Sequence, residues 1–334
     1  MLVCKSWHSG ALPYLYEHIQ ITRGRSLGSL YGGLKHAQSN FSVGWWTRRF
    51  DIAMRDSMAS SFHDRVELEL ICNIMEYLPN LAILRFGVTA PQYQSAKLPL
   101  SLFQRMMRSC GSTLRFIGWQ NSNLTPSDGW YTVLARCSRL EALCYLGPST
   151  RISTSNLTFP SLKTLFVGLH DAVAESDLPL LRRVLVDVHV DHLHPVFIHH
   201  GASLEGVQLI FCHQRYRFSD LLNFLSAQCH NLRRLDFSLP DWSMMQHAHF
   251  ALPDSIRIFG LQRMGIQDTP EEYEALYNTL ENMGFGPKLE AIQFLDARNL
   301  TDLRERHPSE FSRIVVMMGA RGLKVQDSEG NELS

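Results

Sequence analysis

Nine times along this chain an apolar residue is followed, three and five positions later, by two more, giving the pattern apolar-x-x-apolar-x-apolar. The clearest copies are Leu81-Ala-Ile-Leu84-Arg-Phe86, Leu140-Glu-Ala-Leu143-Cys-Tyr145, Leu162-Lys-Thr-Leu165-Phe-Val167, Leu232-Arg-Arg-Leu235-Asp-Phe237 and Leu289-Glu-Ala-Ile292-Gln-Phe294. Looser copies start at Leu114, Leu181, Leu204 and Ile256. Successive leading residues lie 33, 26, 22, 19, 23, 28, 24 and 33 positions apart. A short element returning at such an interval is expected to fold by stacking, because one copy alone cannot bury its apolar face.

The last two apolar residues of each copy are two apart, so they share one face of a short strand and the residue between them takes the other. Three positions before each leading residue stand Leu78, Gly111, Cys137, Phe159, Leu178, Gly201, Cys229, Pro253 and Gly286, small or apolar types suited to a buried turn. The segments between copies have helical periodicity. Residues 62–78 carry Val66, Leu70, Ile71, Ile74, Met75 and Leu78, and residues 219–228 carry Leu221, Leu222 and Leu225. Thr269-Pro270-Glu271-Glu272 reads as an N-cap, a first-turn proline and a capping-box glutamate. The fold class predicted is α/β, a leucine-rich-repeat-like solenoid with irregular repeats and parallel strands on its concave face; the period sits around the ~20–29 residues of such repeats. The competing arrangement is a doubly wound sheet. No G-x-G-x-x-G or G-x-x-x-x-G-K-[ST] loop follows any strand, which favours the solenoid.

At 334 residues and 45% hydrophobic the chain can bury a large core, and one elongated repeat domain is expected. Thirty-two basic residues balance 32 acidic ones, so no global field draws the chain to nucleic acid or to an acidic membrane. No apolar run is long enough to span a bilayer and no secretory leader is recognisable, which places the chain in cytoplasm or nucleus. The seven cysteines form an odd set without a C-x-x-C pair, so neither a disulfide framework nor a zinc knuckle is expected. Cys137 and Cys229, at equivalent repeat positions, read as small buried hydrophobes.

Residues 2–21 differ from the rest. Leu2, Val3, Trp7, Ala11, Leu12, Leu15, Tyr16 and Ile19 form a dense apolar set, Pro13 is placed to open a short second helix, and His18 to Ile21 alternate like a strand. On physical grounds this is a cap over the open end of a repeat stack. The runs Leu2-Val3-Cys4-Lys5-Ser6-Trp7, Ala11-Leu12-Pro13, Leu15-Tyr16 and Ile19-Gln20-Ile21 resemble the closing part of an F-box of the fungal type. Leu27, Leu30 and Leu34, with Trp45-Trp46-Thr-Arg-Arg-Phe50-Asp-Ile52, resemble the lead into the repeats of such proteins. The resemblance implies two regions, residues 1–22 as an F-box remnant and 23–334 as the solenoid. It also implies a non-catalytic substrate-recognition subunit of an SCF-type ubiquitin ligase, partnered by a Skp-type adaptor and a cullin-based ligase. Leu2, Val3, Trp7, Leu12, Leu15 and Tyr16 would be what remains of the adaptor contact. An F-box opens with a Leu-Pro element and two helices that would lie before Leu2, so the expectation is a chain that begins inside the F-box; the other outcome is a protein that has lost adaptor binding.

A target would meet the outward strand positions. The second, third and fifth residues of the copies include Arg85, Arg115, Phe116, Phe166, Arg182, Arg183, Arg233, Arg234 and Arg257. Arg182, Arg183, Arg233 and Arg234 come from repeats two apart, about 10 Å at ~4.8 Å per strand, and could grip an acidic or phosphorylated segment. Glu205 and Asp236 stand beside them and could equally balance them on a solvated face. No cofactor is expected. Asp187, His189, Asp191, His192, His194, His199 and His200 form a tract where zinc or hydrolytic chemistry could reside, but its spacing matches no metal motif. A metal-dependent hydrolase is therefore the distant alternative, behind a repeat scaffold without a ligase role. Trp119, Trp130 and Trp242 read as packing residues in loops.

Overall fold

The computed structural model of the chain describes residues 5–36, 43–56, 63–89, 97–119, 125–126, 129–145, 157–167, 172–188, 195–211, 218–245, 250–265 and 269–333. Contacts divide it into two units, Met1–Leu180 and Leu181–Ser334.

In the amino-terminal unit β1 (His18–Arg23), β2 (Arg49–Asp56) and β3 (Ile83–Phe86) are followed by β4 (Lys97–Leu98), β5 (Phe116–Trp119), β6 (Thr125–Pro126), β7 (Ala142–Tyr145) and β8 (Thr164–Val167). The helices are α1 (Lys5–Glu17), α2 (Arg25–His36), α3 (His63–Met75), α4 (Leu100–Cys110) and α5 (Trp130–Leu134). Strands pair in parallel as β1-β2-β3-β5-β7-β8, while β4 and β6 form a separate short ladder. In the carboxy-terminal unit β9 (Arg183–Val188), β10 (Gly206–Phe211), β11 (Arg234–Leu239), β12 (Ile258–Arg263), β13 (Ala291–Phe294) and β14 (Lys324–Gln326) pair in parallel in that order. Its helices are α6 (Pro195–His200), α7 (Phe218–Gln228), α8 (Pro270–Asn282), α9 (Ala297–Arg306) and α10 (Pro308–Ala320).

Within each unit the main sheet keeps the order of the sequence and never reverses. A doubly wound sheet needs a reversal, so each unit is instead a stack of strand–helix coils. All nine strands foreseen from the motif begin two residues after the leading apolar position. The leading residues, from Leu81 to Leu289, are all buried, and so are the fourth-position residues Leu84, Ile117, Leu143, Leu165, Val184, Val207, Leu235, Phe259 and Ile292. Each such side chain is worth roughly 1.5–3 kcal/mol on burial, so the nine copies together supply much of the core. Aromatic residues at the sixth position stack from coil to coil, with Phe86 parallel to Trp119 at 4.8 Å and Tyr145 edge-on to Trp119 at 6.0 Å.

The turn ahead of the strand recurs with the same hydrogen bond in seven of the nine copies. The N–H of the leading residue donates to the carbonyl three back: Leu81 to Leu78, Leu140 to Cys137, Leu162 to Phe159, Leu204 to Gly201, Leu232 to Cys229, Ile256 to Pro253 and Leu289 to Gly286. The space is tight there. A Cβ on Gly201 would lie 2.6 Å from the Gln228 carbonyl oxygen, and one on Gly286 3.0 Å from Asp254 Cα, which explains the small residue types. Cys72, Cys110, Cys137, Cys144 and Cys229 are buried free thiols, and burial pushes Cys110, Cys137 and Cys229 up to about 12.

Three local expectations need correction. Pro13 opens no second helix; it lies inside the continuous α1, where it forfeits one backbone bond, that to the Ser9 carbonyl. Thr269 caps α8 without a side-chain bond to it, and Glu272 completes no capping box. Its carboxylate instead meets the buried Arg263 guanidinium at 2.9 Å, a charge that burial makes costly to leave unopposed. Trp119, Trp130 and Trp242 are not loop residues: they end β5, begin α5 and open the 3-10 turn Trp242–Met245, each fully enclosed. Residues 18–21, read with the amino-terminal segment, pair as β1 with β2. No helix among the described residues is long and apolar enough to cross a membrane.

Candidate functional site

The parallel registers align equivalent repeat positions into rows. On the open face of the carboxy-terminal sheet the third-position row reads Arg183, Gly206, Arg234, Ile258, Ala291, Lys324, and the fifth-position row Leu185, Gln208, Asp236, Gly260, Gln293, Gln326. On the amino-terminal sheet the same rows read His18, Arg49, Ile83, Phe116, Ala142, Thr164 and Gln20, Asp51, Arg85, Gly118, Cys144, Phe166.

Each face carries an aspartate held by two side-chain partners, two arginines on the carboxy-terminal sheet and an arginine and a histidine on the amino-terminal one. Asp236 is 2% exposed; its Oδ2 accepts from Arg234 Nε at 2.9 Å and lies 3.6 Å from Arg183 Nη2. Arg183 reaches it from two strands away, over Gly206, which has no side chain to stand between them. Burial raises the Asp236 pKa, and the hydrogen bonds and charges of Arg234 and Arg183 oppose this without reversing it. Asp51 sits in the equivalent place. It accepts from Arg49 Nε at 3.0 Å and Nη2 at 2.6 Å, and from His18 Nε2 at 3.0 Å. Burial alone would raise the Asp51 pKa, but the hydrogen bonds from Arg49 and His18 outweigh it and hold the carboxyl below its ordinary value. Beyond the clamps, Gln208 donates to Ser238 at 2.8 Å, and Arg85 lies over the Phe116 ring at 5.0 Å.

The expected arginine cluster is therefore two rows rather than one. Arg183 and Arg234 lie on the open face and converge on Asp236. Arg182 and Arg233, one residue earlier and out of phase, stand with Arg257 along the edge where the chain enters the strands of this unit, and Arg115 holds the equivalent place in the amino-terminal unit. There the carbonyl of each second-position residue accepts the N–H of the next coil's equivalent, as from Glu205 to Arg182, Arg233 to Glu205, Arg257 to Arg233 and Glu290 to Arg257. Arg182 pairs with Glu205 at 3.4 Å and Arg257 with Glu290 at 3.1 Å. Phe166 is on the open face but only 9% exposed, so it packs rather than projects.

Sequence reasoning missed a second set of recurring positions along that edge, which tie coil to coil. The polar residue just before the leading apolar one repeatedly donates to a backbone carbonyl of the preceding coil: Asn80 to Trp45 at 2.9 Å, Thr113 to Pro79 at 3.2 Å, Ser161 to Ser138 at 2.6 Å, Ser203 to Leu181 at 3.0 Å and Asn231 to Ala202 at 2.8 Å. The signal was present as Asn, Thr or Ser at one fixed offset.

Of the amino-terminal set, Leu2 and Val3 lie outside the described residues and Trp7 falls within α1. Leu12 and Tyr16 are half-buried, while Tyr14 and Leu15 are 80% and 67% exposed. In the histidine tract Asp187 ends β9 with Val188 and His199 and His200 close α6, but His189, Asp191, His192 and His194 lie outside the described residues. Among the described residues no three His, Cys, Asp or Glu gather where a metal ion could be held.

No family model matches the chain, and no curated protein matches it. Among solved structures it is similar to the leucine-rich repeat-containing protein LegL7 from Legionella pneumophila, at 12% identity and a TM-score of 0.39 over 95% of this chain and 85% of that one. The coil architecture stands on this chain's own strand pairing.

Proposed function

We propose that the chain is a non-catalytic, leucine-rich-repeat-like interaction scaffold that serves as the substrate-recognition subunit of an SCF-type ubiquitin ligase. The observation that carries the scaffold reading is the alignment of equivalent repeat positions into rows, so that third- and fifth-position side chains of mixed polar and apolar character line one face along each sheet. Surfaces of this kind suit an extended protein partner. The ligase role rests on the F-box-like residues of the amino-terminal segment and on α1, which holds Leu15 and Tyr14 in solvent beside the half-buried Leu12 and Tyr16. Large apolar side chains left exposed on one short helix fit a surface that a partner covers. The adaptor would sit on α1 and the target on the strand rows.

The test is capture of a purified Skp-type adaptor by the chain and by a form extended with the upstream in-frame coding sequence. Capture by either form, lost in Leu15→Asp while the far-ultraviolet circular dichroism is unchanged, supports the ligase role. No capture by either form leaves a repeat scaffold without one.

A further inference from the structure

Cys137 and Cys229 hold the same place in two coils, three residues ahead of the leading leucine, and both are buried free thiols. Their surroundings differ. The Cys137 thiol donates to the Met107 thioether sulfur at 3.0 Å. Met107 reaches it from the last turn of α4, in the preceding coil, and lies folded over Gly111, where an added Cβ would stand 3.0 Å from Sδ. Cys110, just before Gly111, is fully buried, donates to the Met106 carbonyl at 3.3 Å, and lies close enough to Cys137 for that thiol to raise its pKa. Neighbouring coils ~4.8 Å apart and consecutive Cα atoms ~3.8 Å apart put the Cys110 and Cys137 Cα atoms about 6 Å from each other, a span that a disulfide can bridge. In the coil before Cys229 the places of Met107, Cys110 and Gly111 are taken by Phe197, His200 and Gly201, so neither sulfur recurs. Access differs as well: Cys110 and Cys137 are buried, whereas Met107 is half-buried.

We infer that Met107, Cys137 and Cys110 form a reversible oxidation site, at which Met107 takes oxygen from a hydroperoxide and the two thiols discharge it. Burial holds both thiols protonated at neutral pH, with pKa values up at about 12, and the thiolate is the form that peroxide attacks. A thioether has no proton to lose, so the half-buried Met107 is the point of entry. The hydroperoxide gives one oxygen to the thioether, leaving the sulfoxide and water or an alcohol. The new S=O stands against the Cys137 S–H. Oxygen and the thiol proton pass to Cys137, two electrons pass from its sulfur to the sulfoxide, and the products are the thioether and a sulfenic acid. Contact at this range gives the step the high effective concentration of an intramolecular reaction. The Cys110 sulfur then displaces the sulfenic hydroxyl, which leaves as water with the Cys110 proton, and a disulfide joins the two residues. The bond ties the end of α4 to the turn ahead of β7, and a small dithiol reverses it by exchange.

Peptide mapping by mass spectrometry of the full chain, after a stoichiometric dose of hydrogen peroxide and blocking of the remaining thiols, tests the inference. The parent protein is expected to yield the Cys110–Cys137 disulfide with Met107 unoxidised, and dithiothreitol should return both thiols. Cys229, equally buried and equally high in pKa but without the two sulfurs, should stay reduced. Met107→Leu, which conserves volume, should slow disulfide formation at least about tenfold, and Cys137→Ala should leave Met107 as a lasting sulfoxide. A disulfide formed as fast in Met107→Leu as in the parent overturns the inference. So does a lasting Met107 sulfoxide in the parent with both thiols reduced, or oxidation of Cys229 at the rate of Cys137, the mark of general unfolding. The measurements on the parent need no variant to fold, and none needs an adaptor or a target, so their outcome is independent of the ligase role.

Discussion

Arg49-Phe50-Asp51 in β2 and Arg234-Leu235-Asp236 in β11 are the same three-residue device on two sheets: an arginine at the third repeat position, a buried apolar residue, and an aspartate at the fifth. Both aspartates gather a second side-chain partner from an earlier strand, His18 for Asp51 and Arg183 for Asp236. Yet their titration shifts in opposite directions, down for Asp51 and up for Asp236. Asp51 receives both nitrogens of one guanidinium edge together with the His18 imidazole. Asp236 is more deeply enclosed, takes one close bond from Arg234 and a longer contact from Arg183, and turns Oδ1 against Gly260 with no hydrogen-bond partner among the described residues. One sequence motif therefore yields an ion cluster that is well solvated by its partners and another that is under-supplied, and the neighbouring residues decide which.

The largest effect should come from Gly260. A Cβ there would run into Asp236 Oδ1 and come within 2.9 Å of Leu295 Cδ2, whereas the strand beside Asp51 presents Arg85 and has no such constraint. Gly260→Ala is expected to cost about 2–3 kcal/mol in urea denaturation, at the upper range for overpacking a filled site. A loss below ~0.5 kcal/mol would show that Asp236 can swing away and that its burial is not fixed by the glycine.

Next in size is Asp51→Asn, expected to cost about 1.5–3 kcal/mol because it trades charge-assisted hydrogen bonds for neutral ones. Asp236→Asn should cost under ~1 kcal/mol, since its burial already disfavours the charge. Equal losses at neutral pH would erase the distinction between the two clamps; a larger loss at Asp236 would reverse it.

These contrasts bear on what could be read from the chain. The coils were legible because one side of each strand must be apolar whatever a partner requires, so Leu81, Leu140 and Leu232 announce themselves by spacing alone. The split of the arginines into two rows was legible only in part. Alternation along a strand separates Arg233 from Arg234, but that Arg183 crosses to Asp236 depends on Gly206 being small in the intervening strand. Whether an aspartate is well or poorly supplied depends on residues some 20 to 60 positions away, such as His18, Arg183 and Gly260, and no local pattern records that. Glu272 shows the same limit: its local setting favours a cap, and a buried guanidinium nine residues earlier takes the carboxylate instead.

The smallest effect is also the one that tests the comparison most directly, because it needs no change in packing. A carboxyl whose folded pKa is depressed stabilises the fold above its unfolded value of about 3.9 and loses that contribution as pH falls through the folded value. Asp51 is such a group, so the stability difference between the parent protein and Asp51→Asn should shrink on acidification from pH 7 toward pH 3. A carboxyl whose folded pKa is raised contributes fully below its unfolded value, and the contribution is lost as pH rises through the folded one. For Asp236 the difference between the parent and Asp236→Asn should therefore shrink in the opposite direction, as pH increases from about 4. Two urea-denaturation series over the same pH range give two difference curves, and slopes of opposite sign are expected. Parallel slopes would mean that Arg183 and Arg234 solvate Asp236 as fully as Arg49 and His18 solvate Asp51, and that the two clamps behave in solution as their shared motif alone would have them behave.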